Sequence, residues 1–280
     1  MSKSEERNKI GIAPIVYFFV LTFAIFWGGT VAIYFLPDLY YMQNQDGPIG
    51  ILTTLLAGIP SFAPTISALI VTAYFEGKSG LKHFANNLAK IKVKYYWCLL
   101  VFFLPIFVYS LPIIFNIAIG NPSHQDYFNI NLWGITLPIV LTNIIFAGLA
   151  EEPGWRGFAL PEMNQHYKPI ISGIFIGVIW AFWHLLFYVL GSRPWSTFPQ
   201  FVFTVTVISC IYTWIYQKTR SIPLMIIFHV MHNLSNTAFI SYHNPLWGGI
   251  IYFVILVMIL LRDSETLLNK TTPQHVEPNI

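Results

Sequence analysis

The sequence has very little charge. Only 10% of its 280 residues are Asp, Glu, Lys or Arg, whereas a typical soluble domain contains about a quarter. Hydrophobic residues make up 55% of the chain, and the mean hydropathy is +0.61. Uncharged apolar runs of about 18 residues or more are typical of membrane spans. The composition therefore indicates an integral membrane protein and argues against a soluble protein with one large core.

Cysteine is also scarce. Cys98 and Cys210 both lie in apolar runs, and their spacing indicates neither a disulfide framework nor a metal site. The formal net charge is only +3, so we expect no nucleic-acid partner. The polar start "MSKSEERNK" is followed by a long apolar run without an evident cleavage site. The first apolar run is therefore predicted to be a retained span rather than a signal peptide.

Eight apolar segments predict an all-α membrane protein, a polytopic bundle of about eight transmembrane helices. We expect a cytoplasmic N-terminus over 1–11, a bundle over 12–261 and a cytoplasmic tail over 262–280, disordered from residue 271. The predicted spans are 12–36, 49–74, 95–118, 134–158, 170–190, 199–217, 222–241 and 246–261.

The basic residues predict the orientation of the bundle, because cytoplasmic loops carry an excess of Lys and Arg. With both termini in the cytoplasm, Arg193 is the one basic residue that falls on the opposite side. The remaining basic residues are Lys3, Arg7, Lys9, Lys78, Lys82, Lys90, Lys92, Lys94, Arg156, Lys168, Lys218, Arg220, Arg262 and Lys270.

The loop "GLKHFANNLAKIKV", residues 80–93, has a helical pattern of its own. Its apolar residues recur at helical spacing with lysines between them, at Leu81, Phe84, Leu88 and Ile91. This pattern predicts an amphipathic helix on the inner membrane surface. The helix is either a plain interfacial linker or a lipid-sensing element.

Glu151 and Glu152 are the only carboxylates inside an otherwise apolar segment. Ionisable groups within a bilayer are costly and usually face the bundle interior. On a helix, Glu152 and Arg156 share a face, while Glu151 points about 100° away. We therefore predict that Arg156 neutralises Glu152 and leaves Glu151 free. Pro153 is expected to free a carbonyl near residue 149 and to bend the helix.

Two later segments place further polar groups in apolar surroundings. Trp180 and His184 share a helix face, so the histidine needs a partner from another helix. A second segment predicts one polar stripe that faces the interior, made of His229, His232, Asn233 and Asn236. Together with the glutamates, these residues suit hydrolysis, proton-coupled transport, metal transport or partner binding.

Three motifs in order resemble those of the CPBP family, the CAAX-prenyl-protease and bacteriocin-processing enzymes also called Abi proteins. "EEPGWRG" resembles the EExxxR motif of the family. "WAFWH", ending at His184, resembles its aromatic-xxx-His motif, with Trp180 where Phe is usual. "HVMHN" resembles its HxxxN motif, read from His229 to Asn233, with His232 and Asn236 as a second possible register. The resemblance covers residues 130 to 241.

The resemblance implies an intramembrane endopeptidase that acts on membrane-embedded or lipid-anchored substrates, including prenylated CAAX proteins. It implies that Glu151 and His184 activate water and that His229 and Asn233 hold the oxyanion. Glu152, Arg156 and Trp180 are expected to support them. We expect the protein in the plasma membrane of a bacterial cell.

Three alternatives follow from the same residues. A zinc enzyme would use Glu151, His184 and His229 as ligands, but no HExxH motif is present, and we expect no metal. Some relatives are associated with bacteriocin immunity, so a non-catalytic immunity or scaffold protein is the second alternative. An ion-coupled transporter is disfavoured, because the sequence has no matched, discontinuous half-helices.

Overall fold

The computed structural model describes residues 11–36, 48–89, 91–120, 137–239 and 245–270, and every long regular element within them is helical. The predicted all-α bundle is confirmed. The predicted N-terminal segment up to residue 10 and the predicted disorder over 271–280 lie outside the described residues. The helices are α1 (Ala13–Tyr34), α2 (Pro48–Gly58), α3 (Ala63–Leu88), α4 (Tyr95–Ala118), α5 (137–166), α6 (Pro169–Trp183), α7 (Leu185–Val189), α8 (Phe198–Thr219), α9 (Ile222–Phe239) and α10 (Pro245–Leu268).

Six stretches of the described chain are long and apolar enough to cross a membrane. They are Ala13–Tyr34, Leu55–Leu88, Tyr95–Ala118, Pro169–Val189, Trp195–Thr219 and Leu246–Leu268. The other two predicted spans, 134–158 and 222–241, correspond to α5 and α9. These two helices hold the glutamate pair and the polar stripe, whose side chains lower their apolarity. Six of the eight predicted segments are therefore apolar enough to span a membrane, and the other two are helices with ionisable groups in apolar surroundings.

The C-terminal helix is longer than predicted. α10 continues to Leu268 across a break at Asp263, where φ is −145° and ψ is 43°. The Asp263 carboxylate pairs with Lys218 Nζ at 2.7 Å and accepts a hydrogen bond from Trp214 Nε1 at 2.8 Å. Leu267 beyond the break is fully buried. Residues 262–268 therefore belong to α10, and the contacts of Asp263 hold them against α8.

The predicted amphipathic helix over 80–93 is present but shorter. Gly77 adopts φ 63° and ψ −155°, a conformation that favours glycine, and it separates residues 78–88 from the rest of α3. Phe84 is buried in the core and Leu88 packs against it. The helix ends at Leu88, and Ile91 beyond it is 69% exposed.

Aromatic rings of α1 pack against the two helices that carry the first two motifs. Phe18 meets Trp155 of α5 edge-on, with ring centroids 5.5 Å apart. Phe26 packs against Trp183 of α6, with centroids 3.9 Å apart. Trp27 Nε1 donates a hydrogen bond to the Trp183 carbonyl at 3.0 Å. These contacts fix α5 and α6 side by side against α1.

Candidate active site

The glutamates lie in an unusual stretch of helix. α5 alternates between α-helical and π-helical turns, in the order Leu137–Thr142 (α), Asn143–Leu149 (π), Ala150–Gly154 (α), Trp155–Ala159 (π) and Leu160–His166 (α). Single π turns within helices are frequent at functional sites. Glu151 and Glu152 occupy the short α-helical segment between the two π segments.

The carbonyl near residue 149 that Pro153 was predicted to free has a partner on another helix. Pro153 has no N–H to donate to the Leu149 carbonyl. The Thr65 hydroxyl of α3 donates instead, at 3.3 Å to the Leu149 carbonyl and at 2.8 Å to that of Ala150. Sequence reasoning did not identify Thr65, because nothing in the sequence links it to α5.

The predicted pair of Glu152 and Arg156 is present in the bundle interior. Arg156 Nη1 donates to Glu152 Oε1 at 3.0 Å, and both side chains are almost fully buried. His229 Nδ1 lies 2.7 Å from the same Glu152 oxygen. The Glu152 carboxylate therefore joins α5 to α9. Glu152 and Arg156 are the two residues of the first motif that were predicted to be structural.

The Arg156 guanidinium lies between two aromatic rings. Its central carbon is 4.5 Å from the centroid of Trp180 and 4.0 Å from that of Tyr212. A planar guanidinium suits this stacking better than a lysine ammonium does. Tyr212 belongs to α8, where no site residue was predicted. One tyrosine among 15 gives no sequence signal, so only the fold reveals this contact.

Glu151 points away from Glu152, as the helical geometry predicted. It is 5% exposed, and Trp180 Nε1 of α6 donates a hydrogen bond to its Oε2 at 2.6 Å. The indole N–H fixes one carboxylate oxygen and leaves the other for further partners. Trp180 was predicted to be a supporting residue, and it is the direct contact between the first and second motifs.

His184 lies at a break in the predicted span 170–190. α6 ends at Trp183 and α7 begins at Leu185. His184 Nδ1 lies 2.8 Å from the Trp180 carbonyl. Because a carbonyl only accepts hydrogen bonds, Nδ1 carries the proton and Nε2 keeps its lone pair. Trp180 thus contacts Glu151 through its side chain and His184 through its backbone.

The two histidines of the predicted polar stripe face different neighbouring helices inside the bundle. His229 faces Glu152 and meets the Trp180 ring edge-on, at 5.3 Å between centroids. His232 instead lies between two tyrosine hydroxyls, Tyr109 of α4 and Tyr252 of α10, each at 3.3 Å. Side chains three residues apart point in directions that differ by about 60° around a helix. Different neighbouring helices pack against α9 in these two directions.

Asn233 and Asn236 are both half-buried on α9. Within the described chain, no side-chain hydrogen bond joins either one to the glutamates. The structure thus brings together Glu151, Glu152, Arg156, Trp180 and His229, with His184 attached through the Trp180 backbone. It does not bring His232 into this group.

The comparisons agree with the motif pattern. Residues 133–235 match the family model described as type II CAAX prenyl endopeptidase Rce1-like. Over 273 residues the chain is 27% identical to CAAX prenyl protease 2 of Methanococcus maripaludis, covering 92% of this chain and 96% of that protein. The chain thus resembles the CAAX prenyl endopeptidases. The resemblance predicted from the motifs is confirmed, and it supports protease activity by an integral membrane protein.

The three residues named above as zinc ligands each bind a different partner in the structure. Over the described ranges, no three His, Cys, Asp or Glu side chains lie together as a group that would hold a metal ion. Glu151 binds Trp180, His184 binds a backbone carbonyl, and His229 binds Glu152. The predicted ligand set for zinc is therefore not assembled.

Proposed function

We propose that this protein hydrolyses a peptide bond in membrane-associated substrates, prenylated CAAX-type proteins in particular, with a water molecule activated by Glu151 and His184. The contact that carries the proposal is the 2.6 Å hydrogen bond from Trp180 to Glu151. The carbonyl of the same tryptophan accepts a hydrogen bond from His184 Nδ1–H. Trp180 thereby orients a carboxylate and an imidazole lone pair from two different helices.

In this reaction Glu151 acts as the general base. Its carboxylate takes one proton from water, while His184 Nε2 accepts a hydrogen bond from the other water hydrogen. The water oxygen then bonds to the carbonyl carbon of the substrate. As the C–N bond breaks, Glu151 returns its proton to the leaving amine nitrogen. Acid–base catalysis of this kind typically contributes about 100- to 10,000-fold in rate.

The negative oxygen that forms on the substrate needs hydrogen-bond donors. We assign this role to the Asn233 amide and to His229 Nε2. His229 Nδ1 donates to Glu152, so Nε2 is a donor when both ring nitrogens carry protons. The Glu152 carboxylate then lies where it balances the positive ring. One such oxyanion donor is typically worth about 3–4 kcal/mol of barrier.

An open groove on α5 provides a place for the substrate chain. Its lining comprises Thr142, Asn143, Phe146 and Ala147, in and before the first π segment. Ala147 lies about one helical turn before Glu151 on the same helix. Ligand grooves commonly combine apolar walls with a few polar groups, as Phe146 and Asn143 do.

The decisive test replaces Glu151 with Gln in the purified, full-length protein and measures cleavage of a prenylated CAAX peptide. We expect the Glu151→Gln rate to fall at least about 100-fold, because the amide takes no proton from water. The control is Glu265→Gln, which removes an exposed carboxylate on α10 and should leave the rate unchanged. Cleavage by Glu151→Gln at the wild-type rate would refute the base role.

A second measurement addresses the metal alternative and the scaffold alternative together. We expect cleavage to continue unchanged after dialysis against a chelator, because the described residues assemble no ligand group. Loss of activity that added zinc restores would favour the metal mechanism. A scaffold or immunity role would be favoured by two results together. The wild-type protein would cleave no prenylated peptide, and the Glu151→Gln variant would retain the cellular phenotype.

A further inference from the structure

A basic surface lies between the second and third apolar spans. Four of its lysines are exposed, Lys78 and Lys82 at the end of α3 and Lys92 and Lys94 just before α4. We call these four residues the lysine surface. The sequence contains no Asp or Glu between Glu76 and Asp126. The charge on this part of the chain is therefore of one sign.

The position of the lysine surface puts it at a membrane boundary. Lys78 and Lys82 lie in the last part of the stretch Leu55–Leu88, and Lys92 and Lys94 lie between it and Tyr95–Ala118; both stretches are long and apolar enough to cross the bilayer. Exposed apolar side chains lie among the lysines, with Ile91 69% and Tyr95 77% exposed. Aromatic and basic side chains together are typical of the interface between lipid and water.

The helix beneath the lysine surface packs directly on the candidate site. Phe84 and Leu88 lie beside Gly157, in the π segment that follows Glu152. Ile222, the first residue of α9, lies beside the same glycine. Lys78 and Lys82 thus lie on a helical segment that packs against the two helices carrying the glutamates and His229.

We propose that the lysine surface binds the headgroups of anionic phospholipids. Basic residues held at a membrane surface attract anionic lipids, and the apolar residues among them enter the headgroup layer. Headgroup binding then holds residues 78–88 against α5 and α9. The binding itself is independent of the proposed function, whereas its expected effect on hydrolysis rests on that function.

The test counts phosphatidylglycerol bound to the full-length protein in detergent by native mass spectrometry, with phosphatidylcholine as the neutral comparison. We expect Lys78→Gln with Lys82→Gln to weaken phosphatidylglycerol binding roughly tenfold or more. The matched control, Lys168→Gln with Lys270→Gln, removes the same charge from exposed positions elsewhere and should bind as the wild type does. Binding should also weaken in high salt.

Three results would overturn the proposal. They are equal binding of the two lipids, an equal loss in both double variants, and displacement of the lipid by an equal concentration of inorganic phosphate. The inactive Glu151→Gln protein should still bind phosphatidylglycerol, which separates this test from that of the proposed function. If hydrolysis is also confirmed, wild-type cleavage should be faster in nanodiscs that contain phosphatidylglycerol.

Discussion

Trp180 contacts three of the four ionisable groups of the first two motifs. Its N–H binds Glu151, its carbonyl binds His184, and its ring stacks on Arg156. A phenylalanine at this position would keep a ring but not the N–H. The departure from the usual motif residue therefore adds a direct hydrogen bond to the candidate base.

At the residue scale, the choice between two registers of the third motif is open to experiment. We expect Asn233→Ala to lower kcat for cleavage roughly 100-fold with little change in KM, because an oxyanion donor acts mainly in the transition state. Asn236→Ala, one turn further along α9, should stay within a few-fold of wild type. The reverse result would transfer the role to His232 and Asn236.

Individual residues show which side-chain contacts can be predicted from the sequence. The Glu152–Arg156 pair follows from helical spacing alone and is present at 3.0 Å. Tyr212 and Thr65 were not predicted, because they approach α5 only in three dimensions. His232 was included in the same stripe as His229, since spacing along one helix does not show which neighbour covers which side.

At the element scale, the crossing of α3 and α5 depends on one glycine. A Cβ at Gly154 would overlap the backbone of Pro64, whereas a Cβ at Gly157 would meet Phe84 at 3.4 Å, an ordinary contact. The sequence shows both glycines beside the motif but does not show which one lies at the crossing.

We expect Gly154→Ala to destabilise the protein by about 1–3 kcal/mol, because the helices must move apart. It should also lower cleavage, since Gly154 lies between Glu152 and Arg156. Gly157→Ala should leave the stability unchanged or slightly higher, because alanine favours helix. Thermal unfolding of both variants in detergent measures the difference. Equal melting temperatures would show that the crossing tolerates a methyl group.

At the scale of the whole molecule, composition predicted the helical bundle correctly, because apolar runs directly reflect burial in lipid. The ends of elements were less accurate. α10 extends to Leu268 because Asp263 finds Lys218 and Trp214 on α8, and a hydropathy pattern contains no information about such a partner.

The orientation of the bundle remains a prediction that a labelling experiment tests. In a background without native cysteines, we expect Ser192→Cys to react with an impermeant maleimide on intact cells. Ser2→Cys and His275→Cys should react only after the membrane is opened, because the basic residues favour cytoplasmic termini. Labelling of the two termini from opposite sides would mean that the chain crosses the membrane an odd number of times.

The alternating turns of α5 have a consequence for how this chain tolerates changes in length. A π turn contains one residue more than the α turn that it replaces. Loss of a single residue within Asn143–Leu149 would convert a π turn into an α turn and leave the two flanking parts of α5 in nearly the same orientation. Loss of a residue within the α-helical segment Ala150–Gly154 would instead turn the preceding part of α5 by about 100°. The number of residues in α5 is therefore constrained more tightly around the glutamates than in the π segments.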